Sequence, residues 1–160
     1  MGDPHRFHAH LEWTGNRGSG TSDYRSYGRE HVVRIEGKSD LLGSSAPTFR
    51  GDPGRWNPEE LLVASLSACH MLWYLHFCAT NGIRIVAYTD DAEGTMAVAA
   101  DGSGRFTDVV LRPKVSIQEG EPARAMALHS EAHRMCFIAA SVNFPVRHEA
   151  QVEVVTATTP

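Results

Sequence analysis

The sequence predicts an α+β domain in which a mostly antiparallel sheet wraps two helices. Three observations carry this. One long apolar segment opens with a strong helix-start signal, a second segment is amphipathic at helical spacing, and short β-rich segments lie before, between and after them. The order reads β-β-α-β-β-α-β, which packs as a sheet on helices rather than as a doubly wound α/β fold. At 160 residues with 42% hydrophobic content the chain can build one core, and residues 1–160 read as a single domain.

Residues 6–14 and 30–36 read as strands, because FHAHLEWTG and EHVVRIEG are rich in β-formers and alternate imperfectly. Between them GNRGSGTSDYRSYGR is a Gly/Ser-rich turn region with three arginines. Residues 39–56 read as a loop, marked by GSSAP and RGDPGRW. The first helix then starts with Asn57 as N-cap, Pro58 at the first helical position and Glu60 completing a capping box. Glu59 and Glu60 also suit the positive end of the helix dipole. Gly82 after Asn81 is the stop, so the helix spans about 24 residues and roughly 36 Å. Small residues Ala64, Ser65, Ser67 and Ala68 lie around Cys69 and let another helix approach closely.

Residues 83–119 read as a hairpin-type pair of strands with DGSG at the turn. Residues 121–140 form the second helix, with Ala125, Leu128, Ala132, Met135 and Ile138 or Ala139 as its apolar stripe. Asn143 to Pro145 breaks it, and Val146 to Thr156 alternates as a last strand.

Composition excludes several classes. Net charge is −4 and the basic residues are scattered, which argues against a nucleic-acid partner and against an anionic membrane surface. Three cysteines are too few, and odd in number, for a secreted disulfide framework. MGDPHRFHAHLEW has no apolar core of a secretory signal, and Arg6 stands where a myristoylation signal needs Ser or Thr. The expectation is a cytoplasmic protein. Leu61 to Thr80 carries no Asp, Glu, Lys or Arg and is long enough to cross a bilayer. Ser65, Ser67, His70, His76 and Thr80 interrupt it, so the expectation is a central helix enclosed by protein on every side.

The chemistry turns on cysteine. Cys69 and Cys136 each fall in a helical pattern, far apart in sequence, which suits a redox pair more than a staple. A thiolate that attacks a peroxide needs a nearby cation, and Cys69 is too far along its helix for the helix dipole to help. Arg17 in the GNRGSGT loop is the first candidate cation and Arg50 the next. Cys78 is about 13 Å along the same helix from Cys69, which excludes a bond between them in an intact helix. On spacing alone, three small, buried and inert thiols are the more ordinary outcome. A metal set is the alternative: His129, His133 and Cys136 fall at i, i+4 and i+7 on one helical face, without an HExxH or CxxC signature.

The string NPEELLVASLSAC, with WTGNRGSGT before it and AHRMCFIAAS after it, resembles the OsmC-like proteins, the group of osmotically inducible protein C and the organic hydroperoxide resistance proteins. The resemblance covers most of the chain and departs from the family where Phe137, not proline, follows the second cysteine. It implies a thiol-dependent peroxidase acting on organic hydroperoxides, with a dithiol as reductant and no metal, flavin or haem cofactor. By motif match it implies Cys69 as the peroxidatic residue, Cys136 as the resolving one, Arg17 as the stabiliser of the thiolate and Glu59 as the residue that orients the arginine. It also implies an intertwined homodimer. Helix geometry points the same way: ten residues separate Glu59 from Cys69, roughly 15 Å along a straight helix, so a site joining them draws on a bend or on a partner subunit.

Overall fold

The computed structural model describes residues 3–156. Met1 and Gly2, which open the segment without a myristoylation signal, lie outside the described residues. The chain divides into two compact units, one ending at Leu62 and the other beginning at Val63.

The first unit holds a three-stranded antiparallel sheet of β1 (His10–Trp13), β2 (His31–Arg34) and β3 (Leu41–Gly43), in that order. Register pairs Trp13 with His31 and Val33 with Leu41. The third strand falls inside the segment expected to be loop; Leu41 and Leu42 supply the β-forming side chains, and Gly43 bridges to Trp56. A 3-10 turn, Pro47–Phe49, follows it.

Helix α1 (Pro58–Thr80) begins as its sequence dictates. The Glu60 N–H donates to Asn57 Oδ1 at 2.8 Å and the Asn57 N–H donates to Glu60 Oε2 at 3.4 Å, the reciprocal capping box. It ends at Gly82, whose φ of 69° is one that a Cβ-bearing residue adopts only with strain. There the Ile83 N–H reaches the Cys78 carbonyl at 2.9 Å and the Gly82 N–H reaches Ala79 at 3.4 Å, a Schellman closure.

The second unit contains most of α1, six strands and helix α2 (Pro122–Met135). The expected pair of strands is four: β4 (Arg84–Asp90), β5 (Glu93–Val98), β6 (Gly104–Leu111) and β7 (Pro113–Glu119). The long hairpin breaks at Asp91–Ala92 on one arm and at Arg112 on the other, so β4 pairs with β7 and β5 with β6, both antiparallel. Asp90 holds this corner, accepting from the Arg112 N–H at 2.6 Å and from Ser67 Oγ at 2.5 Å. The last strand is likewise two: β8 (Val146–His148) joins β6 and β9 (Gln151–Val154) joins β7, each in parallel. Two three-stranded sheets result, ordered β4-β7-β9 and β5-β6-β8. Pairing is mostly antiparallel, as the α+β expectation requires.

The core is periodic. On β7 the side chains of Pro113, Val115 and Ile117 are buried while Lys114 is exposed, the two-residue repeat of a strand with one face covered. Val109, Val110 and Leu111 of β6 are all buried. Ala125, Leu128 and Ala132 of α2 pack with Tyr74 and Cys78 of α1 around Val115 and Ile117. Two expectations need correction. First, α1 is not enclosed on every side within one chain: it buries the single stripe Leu66, His70, Tyr74 and Cys78, and Leu72 is 62% exposed. The helix is long and apolar enough to cross a membrane by composition, yet this stripe seats it in a protein core. Second, α2 does not run to residue 140. It ends at Met135, and Cys136 is its C-cap with extended backbone, ψ 108°. The Cys136 Sγ accepts from the Ala139 N–H at 3.4 Å and a 3-10 turn, Ala139–Ser141, follows. Local hydrogen bonding of this kind competes with helix continuation.

Candidate functional site

Beside its buried stripe, α1 presents Cys69, Leu72, Trp73 and His76, spaced i, i+3, i+4 and i+7 and therefore on one face. With Phe137 and Ile138, these residues line an apolar cleft of about 590 Å³. Trp73 meets Phe137 edge to face, with ring centroids 5.5 Å apart and planes at 81°. Cys69 is half-buried and opens on the cleft. Cys136 is only 1% exposed and does not line it. Cys69 is nevertheless a neighbour of Cys136, near enough that its thiol helps to raise the Cys136 pKa. The turn that ends α2 brings Cys136 onto the α1 face that carries Cys69. All three cysteines are free.

Electrostatics separates the thiols. Burial pushes Cys136 up to about 11; the Ala139 N–H opposes that shift and the neighbouring Cys69 thiol adds to it. Cys78 is raised too, chiefly by burial. Both are neutral thiols at neutral pH, and neither faces the cleft. Cys69 is the one thiol among the described residues that an entering molecule meets.

A second constellation sits in the core. His70 Nε2 and His129 Nδ1 lie 3.0 Å apart, one ring donating and the other accepting, and both side chains are buried. The rings are coplanar within 4° with centroids 5.3 Å apart, so they meet edge to edge. Tyr74 stacks on His129 with centroids 3.8 Å apart. His70 Nδ1 and His129 Nε2 are buried without a hydrogen-bond partner among the described residues. Burial, then the neighbouring His148 and His133, lowers His70 to about 4; burial, then His70 and His148, lowers His129 to about 3. The alternative metal set does not assemble here. His129 turns into the core rather than lying on the helix surface, Cys136 has left the helix, and among the described residues no three such side chains are grouped to hold a metal ion. The sequence signal for the pair was present: Leu66, His70, Tyr74 and Cys78 recur every four residues, as a buried stripe does.

In the first unit Arg17 is 64% exposed and pairs with Glu30 at 3.7 Å. Glu59, the expected partner of Arg17, makes no ion pair with it among the described residues; its Oε2 is buried without a hydrogen-bond partner. Arg50 adopts φ 65° and lies over the Tyr24 ring at 5.6 Å.

The OsmC-like protein family matches residues 51–151. This chain belongs to the OsmC-like family. It is similar to the structure of an OsmC-like protein of unknown function from Vibrio cholerae, with 32% identity and a TM-score of 0.82, covering 92% of this chain and 100% of that one. More distant OsmC-like folds include an organic hydroperoxide resistance protein from Elizabethkingia anophelis, at 18% identity and TM-score 0.67, covering 97% of this chain and 100% of that one. Another is an organic hydroperoxide resistance protein from Legionella pneumophila, at 17% and 0.64, covering 96% and 100%. At such identity these two show the fold alone. No curated protein matches the sequence.

Proposed function

We propose that this protein is a cysteine-based peroxidase that reduces organic hydroperoxides, acting as a homodimer. The observation that carries the reading is the disposition of the thiols: one faces an apolar cleft, and a second lies near it in a buried position. Cys69, as thiolate, attacks the terminal oxygen of the hydroperoxide. The O–O bond breaks, the alkoxide leaves as the alcohol after taking up a proton, and Cys69 becomes a sulfenic acid. The Cys136 sulfur then displaces that hydroxyl as water and forms a Cys69–Cys136 disulfide. A dithiol reductant returns both thiols and is itself oxidised to a disulfide. A cytoplasmic setting, rich in such dithiols, suits the cycle.

Arg17 is assigned to stabilise the Cys69 thiolate and Glu59 to orient the arginine, roles supported by the match of WTGNRGSGT and NPEELL to the family pattern. Glu59 has a buried carboxylate oxygen still open to a donor, and Arg17 is held by a carboxylate at only 3.7 Å, which leaves it free to re-pair. The long, apolar and largely uncovered α1 supports the dimer, because a second copy would cover what one chain leaves bare.

Titration with an alkyl hydroperoxide, read by intact mass, tests the reading. One equivalent should remove two hydrogens from the wild type and add one oxygen to Cys136→Ser. A wild-type mass unchanged by excess hydroperoxide would sink the proposal. A stable monomer at micromolar concentration in sedimentation velocity would sink the dimer.

A further inference from the structure

We infer that the buried His70–His129 hydrogen bond is a register pin, which fixes α2 against α1 so that Cys136 stands where it can bond to Cys69. Both histidines are then positioning residues for the disulfide step, whose use in turnover rests on the peroxidase reading. Each helix carries one of the thiols. Cys69 immediately precedes His70 in α1. Cys136 follows His129 by two turns of α2, about 10.5 Å along the axis. The Cys136 N–H donates to the His133 carbonyl at 3.2 Å, so the thiol moves with the end of that helix.

Most of what joins the two helices has no direction. Ala125, Leu128 and Ala132 pack on Tyr74 and Cys78 as apolar surface, which tolerates sliding and rotation. Turning α2 by a single residue position, about 100°, would carry Cys136 away from Cys69. A disulfide forms only with the two Cβ atoms about 4 Å apart. Among the described residues, His70 Nε2 and His129 Nδ1, 3.0 Å apart, make the one hydrogen bond between a side chain of α1 and a side chain of α2. Arg124 reaches Asn81, beyond the end of α1. Tyr74, stacked on His129 at 3.8 Å and within 9°, sets the plane in which that ring bonds. Stability gives no reason for the pair. His70 Nδ1 and His129 Nε2 stay buried without partners among the described residues, a cost that two leucines would avoid. Buried polar pairs of this kind select one register among those that apolar packing allows.

Two double variants test the pin. His70→Leu, His129→Leu fills the space and removes the bond. His70→Gln, His129→Asn keeps it, because the Gln amide nitrogen lies as many bonds from Cβ as Nε2 does, and the Asn amide nitrogen as many as Nδ1 does. Each reduced protein is equilibrated with reduced and oxidised glutathione; the oxidised form takes up two electrons and two protons as the two protein thiols become one disulfide. Peptide mapping after an acid quench reads the Cys69–Cys136 bond. Its equilibrium constant should fall about tenfold in the leucine pair and stay within about twofold of wild type in the amide pair. With an alkyl hydroperoxide, sulfenic acid formation at Cys69 should keep its rate in both variants, and only the closure that follows should slow in the leucine pair. A leucine pair that closes as readily as wild type overturns the inference. So does an amide pair that fails to fold or closes as poorly as the leucine pair, or a wild type that forms no such disulfide. Should the leucine pair not fold, His70→Asn, His129→Asn takes its place under the same expectation, being one methylene too short to make the bond. If that pair also fails to fold, the bond serves the fold rather than the register and the inference falls. A wild type that leaves hydroperoxide unreduced fails the peroxidase reading alone, because the glutathione equilibrium still decides on the pin.

Discussion

Acidification from about pH 6.5 to 4.5 should destabilise this protein through the buried His70–His129 pair. Folding lowers His70 from its ordinary value near 6.5 to about 4 and His129 to about 3, because a charged ring in that site loses its water. The unfolded chain therefore binds more protons than the folded one from about pH 6.5 downward. The stability these rings contribute is fully present above the unfolded value and is lost as pH falls toward the folded values. One such ring costs about 1.4 kcal/mol by pH 5.5 and about 2.6 kcal/mol by pH 4.5. Both together cost about 2.8 and about 5 kcal/mol, a large part of the stability of an ordinary domain. Arg34, Ser103 and Arg147 hold Glu12, Asp101 and Asp108 below the usual carboxylate range, so these groups stay charged through the window. Urea unfolding followed by far-UV circular dichroism, at fixed protein concentration between pH 7.5 and 4.5, measures the loss. The double variant His70→Gln, His129→Gln should show a much flatter profile. Wild-type stability that stays level down to pH 5, or a double variant with the full acid loss, refutes the reasoning.

Other perturbations separate the thiols and the packing. Cys69→Ser should abolish hydroperoxide consumption, Cys136→Ser should stop after about one equivalent, and Cys78→Ser should turn over normally while losing about 1–3 kcal/mol of stability. A turnover assay across the three variants checks this; a dead Cys78→Ser would reverse the assignment. Because Cys136 is held up to about 11, stopped-flow measurement of disulfide formation should show it quickening with pH between 7 and 9, about tenfold per unit. Arg17→Ala should slow the first oxidation step at neutral pH with unchanged circular dichroism, and a full-speed variant would remove Arg17 from the site. Leu66→Ala, at a fully buried position on α1, should cost about 2–5 kcal/mol in the same urea assay.

The parts of this protein readable from sequence are those set by neighbours along the chain. Asn57, Pro58 and Glu60 specify where α1 starts, because a cap is satisfied within three residues. Gly82 specifies where it stops, because only a residue without Cβ takes φ 69° without strain. The DGSG turn and the alternation of β7 are equally local, and from them the α+β class follows. Contacts between distant segments lie beyond that reach. The split of one long hairpin into two sheets depends on Asp90 receiving Arg112 and Ser67. Cys136 continues an apolar helical pattern in sequence and yet leaves the helix, because its sulfur accepts the Ala139 N–H and the turn lays it near Cys69. His129 matched a metal spacing on its own helix but bonds instead to a ring 59 residues away, since burial rewards a partner over an exposed face. Helical and strand periods act over a few residues, whereas the pairing of two thiols or two imidazoles is decided by which faces the sheet brings into contact.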